Sequence, residues 1–285
     1  MPNSLSNKTV LITGCSSGIG LTVALGLKQR GYHVLASARR PQDVQRLRGM
    51  GLECLQLDLT DSMSIRTAVK KLYQLTNGEI YALFNNGAYG QPGAVEDLKR
   101  DVLRAQFETN LFGTMELTNL IIPMMRQQGY GRIIQHSSVL GFVALAYRGA
   151  YIASKYALEG LTDTLRMELH GTGIHTILIE PGPIESRFRA NAYAAFKKNI
   201  DTENSVHRAQ YEAQAARMTK EGAAAPFTLP AEAVLTKVIH ALESRRPKTH
   251  YYVTFPTYLF AFLKRILSHR AMDKIMLKVS GGGKH

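Results

Sequence analysis

Short apolar runs alternate with longer amphipathic stretches from residue 8 to residue 182. The runs are rich in β-branched residues and nearly continuous, as strands are when both of their faces are buried. We predict strands at 8–13, 32–38, 52–59, 80–86, 131–138 and 174–182, with helical spacing between them at 19–31, 62–75, 98–126 and 150–169. The alternation predicts one α/β domain over residues 1–285, with a doubly wound, mainly parallel sheet and helices on both faces.

Glycine and polar residues follow the carboxyl ends of the predicted strands. They are residues 14–20, Asp58, Asn85, Asn86, Ser138, Pro181 and Gly182. Parallel sheets of this kind bind ligands beyond the carboxyl ends of their strands. These residues, although far apart in sequence, therefore predict a single ligand site at one edge of the sheet.

Composition narrows the class of protein. Apolar residues make up 45% of the 285 residues and charged residues 20%, as in ordinary globular proteins. Cys15 and Cys54 have no metal-ligand spacing around them, which argues against a metal site or a disulfide scaffold. The N-terminus has no signal-peptide pattern, and no apolar run is long enough to span a bilayer. We expect a cytoplasmic protein without a metal.

A glycine-rich turn, TGCSSGIG at residues 13–20, lies between the first predicted strand and the first predicted helix. Glycines let the backbone approach a pyrophosphate, and the helix N-terminus offers free N–H groups. A Walker A loop would continue with Lys-Ser or Lys-Thr, whereas this turn continues with Leu21. The turn therefore predicts a dinucleotide site.

Arginines indicate which dinucleotide binds. Sites that prefer NAD place an acid near the end of the second strand to hold the ribose 2′-hydroxyl. Here Arg39 and Arg40 stand at that point, and the first acid is Asp43. A guanidinium binds a 2′-phosphate that a carboxylate would repel. We predict NADP(H); the alternative is that both arginines are merely solvated.

Tyr151 and Lys155 are four residues apart in a predicted helix, so they lie on the same face. A nearby cation favours the phenolate and lowers the pKa of a tyrosine, which makes it a usable acid or base. The pattern Y-x-x-x-K is short enough to arise by chance, so its weight depends on the rest of the chain.

A set of short motifs is shared with one known family. The set comprises Thr13-Gly14, Gly18-Ile19-Gly20, Asp58, residues 85–88, Asn110, Ser138, Tyr151, Lys155 and Pro181-Gly182, with Tyr151 thirteen positions after Ser138. On these residues the chain resembles the short-chain dehydrogenase/reductase family, from residue 8 to residue 184. It is most similar to the retinol/17β-hydroxysteroid dehydrogenase branch and, within it, to a bacterial NADP-dependent aldehyde reductase.

The resemblance implies a fold and a role for each matching residue. The fold would be a Rossmann sheet of order 3-2-1-4-5-6-7. Tyr151 would protonate the carbonyl oxygen, Lys155 would lower the pKa of that tyrosine and hold the nicotinamide ribose, and Ser138 would bind the substrate oxygen. Asn110 would hold a water that relays protons. The cofactor would bind Gly14, Ser16, Ser17, Gly18, Ile19, Gly20, Arg39, Asp58, Leu59, Asn86, Tyr151, Lys155, Pro181, Gly182 and Ile184.

Two of these assignments carry an alternative, and the first is Asn110, which could instead be a polar residue that breaks its helix. Ser138 could instead cap the end of its strand, and its neighbour Ser137 is excluded only by the spacing to Tyr151. His136 is interpreted as structural. The family usually has Ala-Gly where this chain has Gly87-Ala88. If the backbone at Ala88 needs a positive φ, the exchange costs about 1 kcal/mol.

The segment at residues 186–229 departs from the family motifs and carries Phe188, Tyr193, Phe196, Tyr211 and Met218 among charges. We predict mobile helices that close over an apolar carbonyl substrate, an aldehyde or else a retinoid or steroid. The alternatives are a solvated excursion and, for the whole chain, a hydroxysteroid dehydrogenase or a non-catalytic NADP-binding regulator. The family commonly forms homodimers or homotetramers through the helices that carry Asn110 and Tyr151.

The net charge of +13 is concentrated at the C-terminus, where residues 245–285 carry nine Lys or Arg against one Asp. No nucleic-acid-reading module accompanies these charges, so we exclude a nucleic-acid partner. Within residues 254–285, apolar Leu259, Phe260, Phe262, Leu263, Ile266 and Leu267 adjoin basic Lys264, Arg265, Arg270, Lys274 and Lys278. This make-up fits weak peripheral membrane contact, or else a segment that covers the sheet edge or substrate mouth.

Overall fold

The computed structural model describes residues 5–219, 222 and 225–280. Seven parallel strands form one sheet in the order β3-β2-β1-β4-β5-β6-β7, which confirms the predicted fold class and strand order. The strands are β1 Thr9–Ile12, β2 His33–Ala38, β3 Glu53–Gln56, β4 Ala82–Asn85, β5 Gly131–His136, β6 Ile174–Glu180 and β7 His250–Tyr252. The pattern of apolar runs located the first six but not β7, which has only three residues.

Eleven α-helices connect or extend the strands in the described part of the chain. They are α1 Gly18–Gln29, α2 Pro41–Gly49, α3 Ser62–Thr76, α4 Arg100–Phe107, α5 Gly113–Gln128, α6 Gly149–Glu168, α7 Phe188–Asn199, α8 Arg208–Thr219, α9 Glu232–Glu243, α10 Phe255–Ile266 and α11 His269–Val279. Short 3₁₀ turns lie at Val95–Asp97 and Val139–Gly141.

The sheet has a separate apolar core on each face. Side chains alternate along a strand, so Val10 and Ile12 pack under α1, α2 and α9, whereas Leu11 packs under α3, α5 and α6. Both cores are buried, which is why the strands read as nearly continuous apolar runs. The helices therefore cover both faces, as predicted.

The predicted helix at residues 98–126 is found without a break from Arg100 to Gln128, but it is not a regular α-helix throughout. α4 and α5 are separated by a π-helical turn, Glu108–Phe112, which contains Asn110. The side chain of Asn110 is buried and bonded to Tyr89 and Ser154, and this bonding holds the wider turn in place. Such π-helical turns are frequent at functional sites.

The segment at residues 186–229 contains α7 and α8, which have an apolar cluster of their own. Phe196, Tyr211 and Met218 are buried in it, against Ala94 and Leu98. Tyr211 also accepts a hydrogen bond from the backbone N–H of Ala94, 2.9 Å away, and donates one to Asp97. Three of the five large side chains expected to face a substrate therefore anchor the segment instead, because they fill the space beneath it.

The C-terminal helices α10 and α11 pack beside the edge of the sheet at which the parallel strands end. Phe260 of α10 with Met272 and Met276 of α11 form a cluster around Val143, which follows the 3₁₀ turn Val139–Gly141. No helix among the described residues is sufficiently long and apolar to cross a bilayer.

Candidate active site

The glycine-rich turn joins β1 to α1 in a shape that only glycine allows. Gly14 and Gly18 have φ of +70° and +57°, a region that L-residues with side chains rarely adopt. A Cβ on Gly20 would lie 2.4 Å from the carbonyl oxygen of Gly14. Ser17 precedes α1 and makes no side-chain cap, so the first N–H groups of the helix remain available to a ligand. This cradle fits a pyrophosphate.

Asn86 ties the turn to the neighbouring strand. Its Nδ2 donates to the carbonyl oxygens of Thr13 and Gly14 at 2.9 and 3.2 Å. Its Oδ1 lies 2.9 Å from Nδ1 of His136. Burial lowers the pKa of His136 to about 3, and the charge of Lys155 adds to the shift. This histidine is therefore neutral and structural, as its sequence context indicates.

The strain considered at Ala88 does not arise. Among described non-glycine residues, positive φ occurs only at Asn77, Tyr147 and Phe227. Ala88 thus needs no left-handed backbone. The preceding Gly87 sits where a Cβ would approach Leu59 and Thr13 to 3.1–3.2 Å, so a small residue is favoured at that position.

Three residues predicted at the adenosine end lie at the correct edge of the sheet. Arg39 directly follows β2 and is exposed, and the backbone next to it bonds to the residues after β3. The Oδ1 of Asp58 accepts two hydrogen bonds from Thr60, both 2.9 Å long, and Leu59 is buried against Gly113. None of the three lines the main cleft.

Arg46 was missed by sequence reasoning. It lies on α2, a helix that the apolar pattern did not reveal, and its Nη2 donates to the carbonyl oxygen of Ser16 at 2.5 Å. A guanidinium that the sequence did not indicate therefore contacts the glycine-rich turn. Only the placement of α2 brings it there, so the sequence held no usable signal.

The predicted catalytic residues converge at the ends of β5 and α6. The Ser138 hydroxyl is close enough to Tyr151 to lower the pKa of that phenol, and both residues are buried. Ser138 also accepts from the N–H of Leu140 at 3.1 Å, so it caps the 3₁₀ turn as well. Ser137 points elsewhere, because its Oγ donates to Glu159 at 2.5 Å. The geometry therefore selects Ser138, as the spacing did.

Lys155 lies one helical turn after Tyr151. Its Nζ is 5.7 Å from the centre of the Tyr151 ring and donates to the carbonyl oxygen of His136 at 2.5 Å. Burial lowers the pKa of Lys155 to about 8, and the charge of Glu159 opposes that shift. The lysine is therefore still mostly protonated at neutral pH, but it loses its proton only slightly above that pH.

The expected lowering of the pKa of Tyr151 by Lys155 is not found. Burial raises the pKa of Tyr151 to about 12, and the opposing group is Ser138, whose hydrogen bond lowers it. The phenol therefore carries its proton at neutral pH, which is the form that a general acid requires.

Asn110 is also present at the site, but its side chain is fully engaged. Its Oδ1 accepts from the N–H of Tyr89 at 3.1 Å, and its Nδ2 donates to the carbonyl oxygen of Tyr89 and to Ser154. The amide thus joins the loop after β4 to α6. The structure gives this residue a positioning role, and the water relay stays a prediction.

Sequence reasoning also missed a buried acidic group behind the lysine. Glu159 and Asp163 continue the row of Tyr151 and Lys155 along α6, one turn apart, and this spacing is visible in the sequence. Glu180, at the end of β6, is near enough to Glu159 for each carboxyl to affect the pKa of the other. His250 of β7 lies 3.1 Å from Glu180 and 3.7 Å from Asp163.

Burial and mutual repulsion set the charge of this acidic group. Burial raises the pKa of Glu159 to about 7, and the charge of Glu180 adds to the rise. The pKa of Glu180 is raised by burial as well, while its bond with His250 opposes the shift. The two carboxyls therefore compete for one proton next to Lys155.

A pH prediction follows from Lys155. Activity that needs its ammonium should fall as pH rises through about 8. Glu159→Gln removes the carboxylate that favours the ammonium, so the alkaline limb of the kcat/KM profile should move to lower pH. The matched control is Glu168→Gln, an exposed acid on the same helix. An unmoved limb in Glu159→Gln would contradict this coupling.

A cleft of about 950 Å³ opens over these residues. Its walls include the glycine-rich turn, Ser138, Tyr151, Lys155, Gly182 and Ile184. Phe188 of α7 closes one side, with its ring centre 5.3 Å from that of Tyr151. Ser186, which sequence reasoning did not single out, lies where a Cβ on Gly18 would meet it at 3.0 Å. The cleft has the size and the open helix N-terminus that a dinucleotide needs.

The described residues contain no candidate metal site. No group of three His, Cys, Asp or Glu side chains there could hold an ion. Both cysteines are buried thiols, and burial raises the pKa of Cys15 to about 12 and that of Cys54 to about 11.

Comparison with known proteins agrees with this geometry. A profile of the family described as short chain dehydrogenase matches residues 8–196. The chain is 43% identical over 276 residues to the "Uncharacterized oxidoreductase YbbO" of Escherichia coli, covering 97% of this chain and 96% of that protein. It is 33% identical over 265 residues to human 17-beta-hydroxysteroid dehydrogenase type 1, covering 88% and 78%.

A solved structure shows the same architecture. A short-chain dehydrogenase from Streptomyces avermitilis superposes with a TM-score of 0.75 at 25% identity, and the match covers 100% of both chains. The chain therefore belongs to the short-chain dehydrogenase/reductase family of oxidoreductases, which use NAD(P)(H).

Proposed function

We propose that this protein is an NADPH-dependent carbonyl reductase that converts hydrophobic aldehydes to alcohols. The observation that carries the proposal is the buried pair Ser138 and Tyr151, with Lys155 one helical turn after the tyrosine, at the floor of a cleft that begins at the glycine-rich turn. A protein that only sensed NADP would have no need of this arrangement, so the regulatory alternative is disfavoured.

Bound NADPH would supply the hydride, and the chain would supply the proton and the orientation. Ser138 and Tyr151 would hold the carbonyl oxygen between their hydroxyls. Tyr151 would then give its proton to that oxygen as negative charge develops there. Lys155, whose pKa near 8 lies well below that of Tyr151, would then return a proton to the phenolate.

NADP(H) rather than NAD(H) is favoured by charge near the turn. Arg46 on α2 donates to the carbonyl oxygen of Ser16, and Arg39 lies exposed at the end of β2. Two guanidiniums and two hydroxyls match the oxygens of a 2′-phosphate. Asp43 lies among them but is held by Arg46 at 3.3 Å.

An apolar substrate is favoured by the outer wall of the cleft. Leu140, Val143, Leu259, Phe260 and Met276 line it beyond Ser138. Such a surface gains from burying an alkyl or ring system and offers few partners to a sugar. An aldehyde remains our first choice; the similarity to the human steroid enzyme keeps a hydroxysteroid as the second candidate.

A screen of NADPH oxidation tests the proposal. Medium- and long-chain aldehydes should be reduced faster than steroid ketones, and both faster than sugars. NADPH binding is followed separately by its fluorescence. Binding without turnover of any carbonyl compound would contradict the enzymatic proposal, and turnover of steroids alone would select the second candidate.

We also propose that the protein is a cytoplasmic homo-oligomer that pairs through α5 and α6. Phe112, just before α5, and Leu161 and Met167 on α6 are large and exposed. These positions lie on the helices that follow Asn110 and carry Tyr151, so subunit pairing would cover them without blocking the cleft.

A further inference from the structure

Helix α10 has two apolar faces. The inner face, which includes Phe260 and Leu263, packs against Val143 and the C-terminal helix α11. The outer face consists of Phe255, Tyr258, Leu259, Phe262 and Ile266, whose side chains are between 37% and 61% exposed. At 100° per residue these five positions fall within an arc of about 100°, so they form one stripe. The inner face also borders the cleft, since Phe260 lines it.

The outer face of α10 continues into the cleft. Phe255 and Leu259 belong both to the stripe and to the cleft wall. Phe227, itself exposed, packs on Phe255 with ring centres 5.1 Å apart. Contiguous exposed apolar side chains of this kind mark an interaction surface. Any partner that covers this surface would therefore also lie at the entrance of the cleft.

Positive charge is concentrated in the same two helices, and Arg265 directly borders the stripe. Lys264 and Arg265 end α10, and α11 carries three more exposed basic residues, Arg270, Lys274 and Lys278. Within the described part of the chain none of these five cations forms an ion pair, and the one acid between them is Asp273. We call these five residues the basic rim. A partner that binds this surface must either supply negative charge to the basic rim or bind in spite of it.

A second copy of the chain fits this requirement poorly. In a two-fold contact the same patch meets itself, so both basic rims would face each other across the interface. An anionic lipid surface instead offers negative headgroups to the rim and an apolar layer to the aromatic stripe.

We propose that the outer face of α10 docks on anionic lipid membranes, with the cleft entrance beside Phe255 turned toward the bilayer. Docking itself does not depend on the proposed reductase activity. The benefit of docking for the protein's function does rest on the reductase activity. A hydrophobic aldehyde dissolved in the bilayer would then enter the cleft along Phe255 and Leu259.

Flotation with vesicles tests the docking. The full chain should float with vesicles of equal parts phosphatidylcholine and phosphatidylserine at low salt, and should not float with phosphatidylcholine alone. Phe262→Ser/Ile266→Ser should lower the bound fraction by about tenfold or more, because two bulky apolar anchors are lost. Lys264→Glu/Arg265→Glu should have a similar effect, and high salt should mimic it.

The control variant is Met63→Ser/Leu75→Ser, which removes two comparably exposed apolar residues from α3, away from the proposed subunit contact, and should float normally. Wild-type protein that stays unbound at low salt, or a Phe262→Ser/Ile266→Ser variant that floats like wild type, would overturn the proposal. Loss of the oligomer in that variant, measured by light scattering, would also overturn it and assign the face to subunit contact. Vesicle binding by a protein that reduces no carbonyl compound would leave docking intact and reject the reductase proposal instead.

Discussion

Replacing Tyr151 with phenylalanine should abolish carbonyl reduction while leaving NADPH affinity within a few-fold. The substitution removes only the hydroxyl that Ser138 contacts, and the phenyl ring keeps its buried place against Phe188. Loss of a general acid typically slows a reaction by about 10²–10⁴-fold, and no other described hydroxyl is bonded to Ser138 to replace it.

Stopped-flow or steady-state NADPH oxidation measures the effect, and fluorescence titration measures cofactor affinity. Tyr156→Phe is the matched control, because it makes the same change on the same helix at an exposed position. Turnover by Tyr151→Phe within about tenfold of wild type would remove Tyr151 from the proton-donating role.

Arg39→Asp should reverse the preference between NADPH and NADH. The change removes a charge-assisted partner of the 2′-phosphate and places a carboxylate there, which repels the phosphate and can accept from a ribose hydroxyl. Charged hydrogen bonds contribute roughly 1.5–3 kcal/mol each, so the ratio of kcat/KM values should change by about tenfold to several hundredfold. Arg46 retains some attraction for the phosphate, which limits the effect.

Arg40→Asp makes the identical charge change one residue further on and serves as the control. Both arginines are exposed, so neither substitution disturbs a core. If Arg40→Asp reverses the preference and Arg39→Asp does not, the assignment of the phosphate ligand is wrong. If neither does, Arg46 or the serines of the turn hold the phosphate alone.

The sheet and the position of the site could be predicted because local pattern decides both. Strands buried on both faces must be apolar throughout, and a turn that approaches a pyrophosphate must contain glycine. Tyr151 and Lys155 could be predicted as a pair for a similar reason, because residues four apart in a helix lie on the same face. These features depend on neighbours in sequence.

Other features depend on which distant segments meet. Glu159 has an ordinary helical context, and only β7 brings His250 next to its partner Glu180. The inward direction of Phe196 and Tyr211 depends on the turn around Ala94. The π-helical turn at Asn110 follows from hydrogen bonds to Tyr89 and Ser154 rather than from helix propensity. Periodicity carries no information about such contacts.

The acid pair Glu159 and Glu180 has a consequence for folding. Because the folded-state pKa values of both are raised, the native chain keeps a proton that the unfolded chain releases above its ordinary carboxyl pKa of about 4.5. The pair therefore contributes most to the free energy of unfolding below that pH, and this contribution is lost as pH rises through the value of about 7 for Glu159. His250, whose pKa its bond with Glu180 raises, acts with the same sign. Most carboxylates that are paired in the native state make a protein less stable in mild acid. This cluster has the opposite effect, so it stabilises the packing of α6, which carries Tyr151 and Lys155, more as the pH falls.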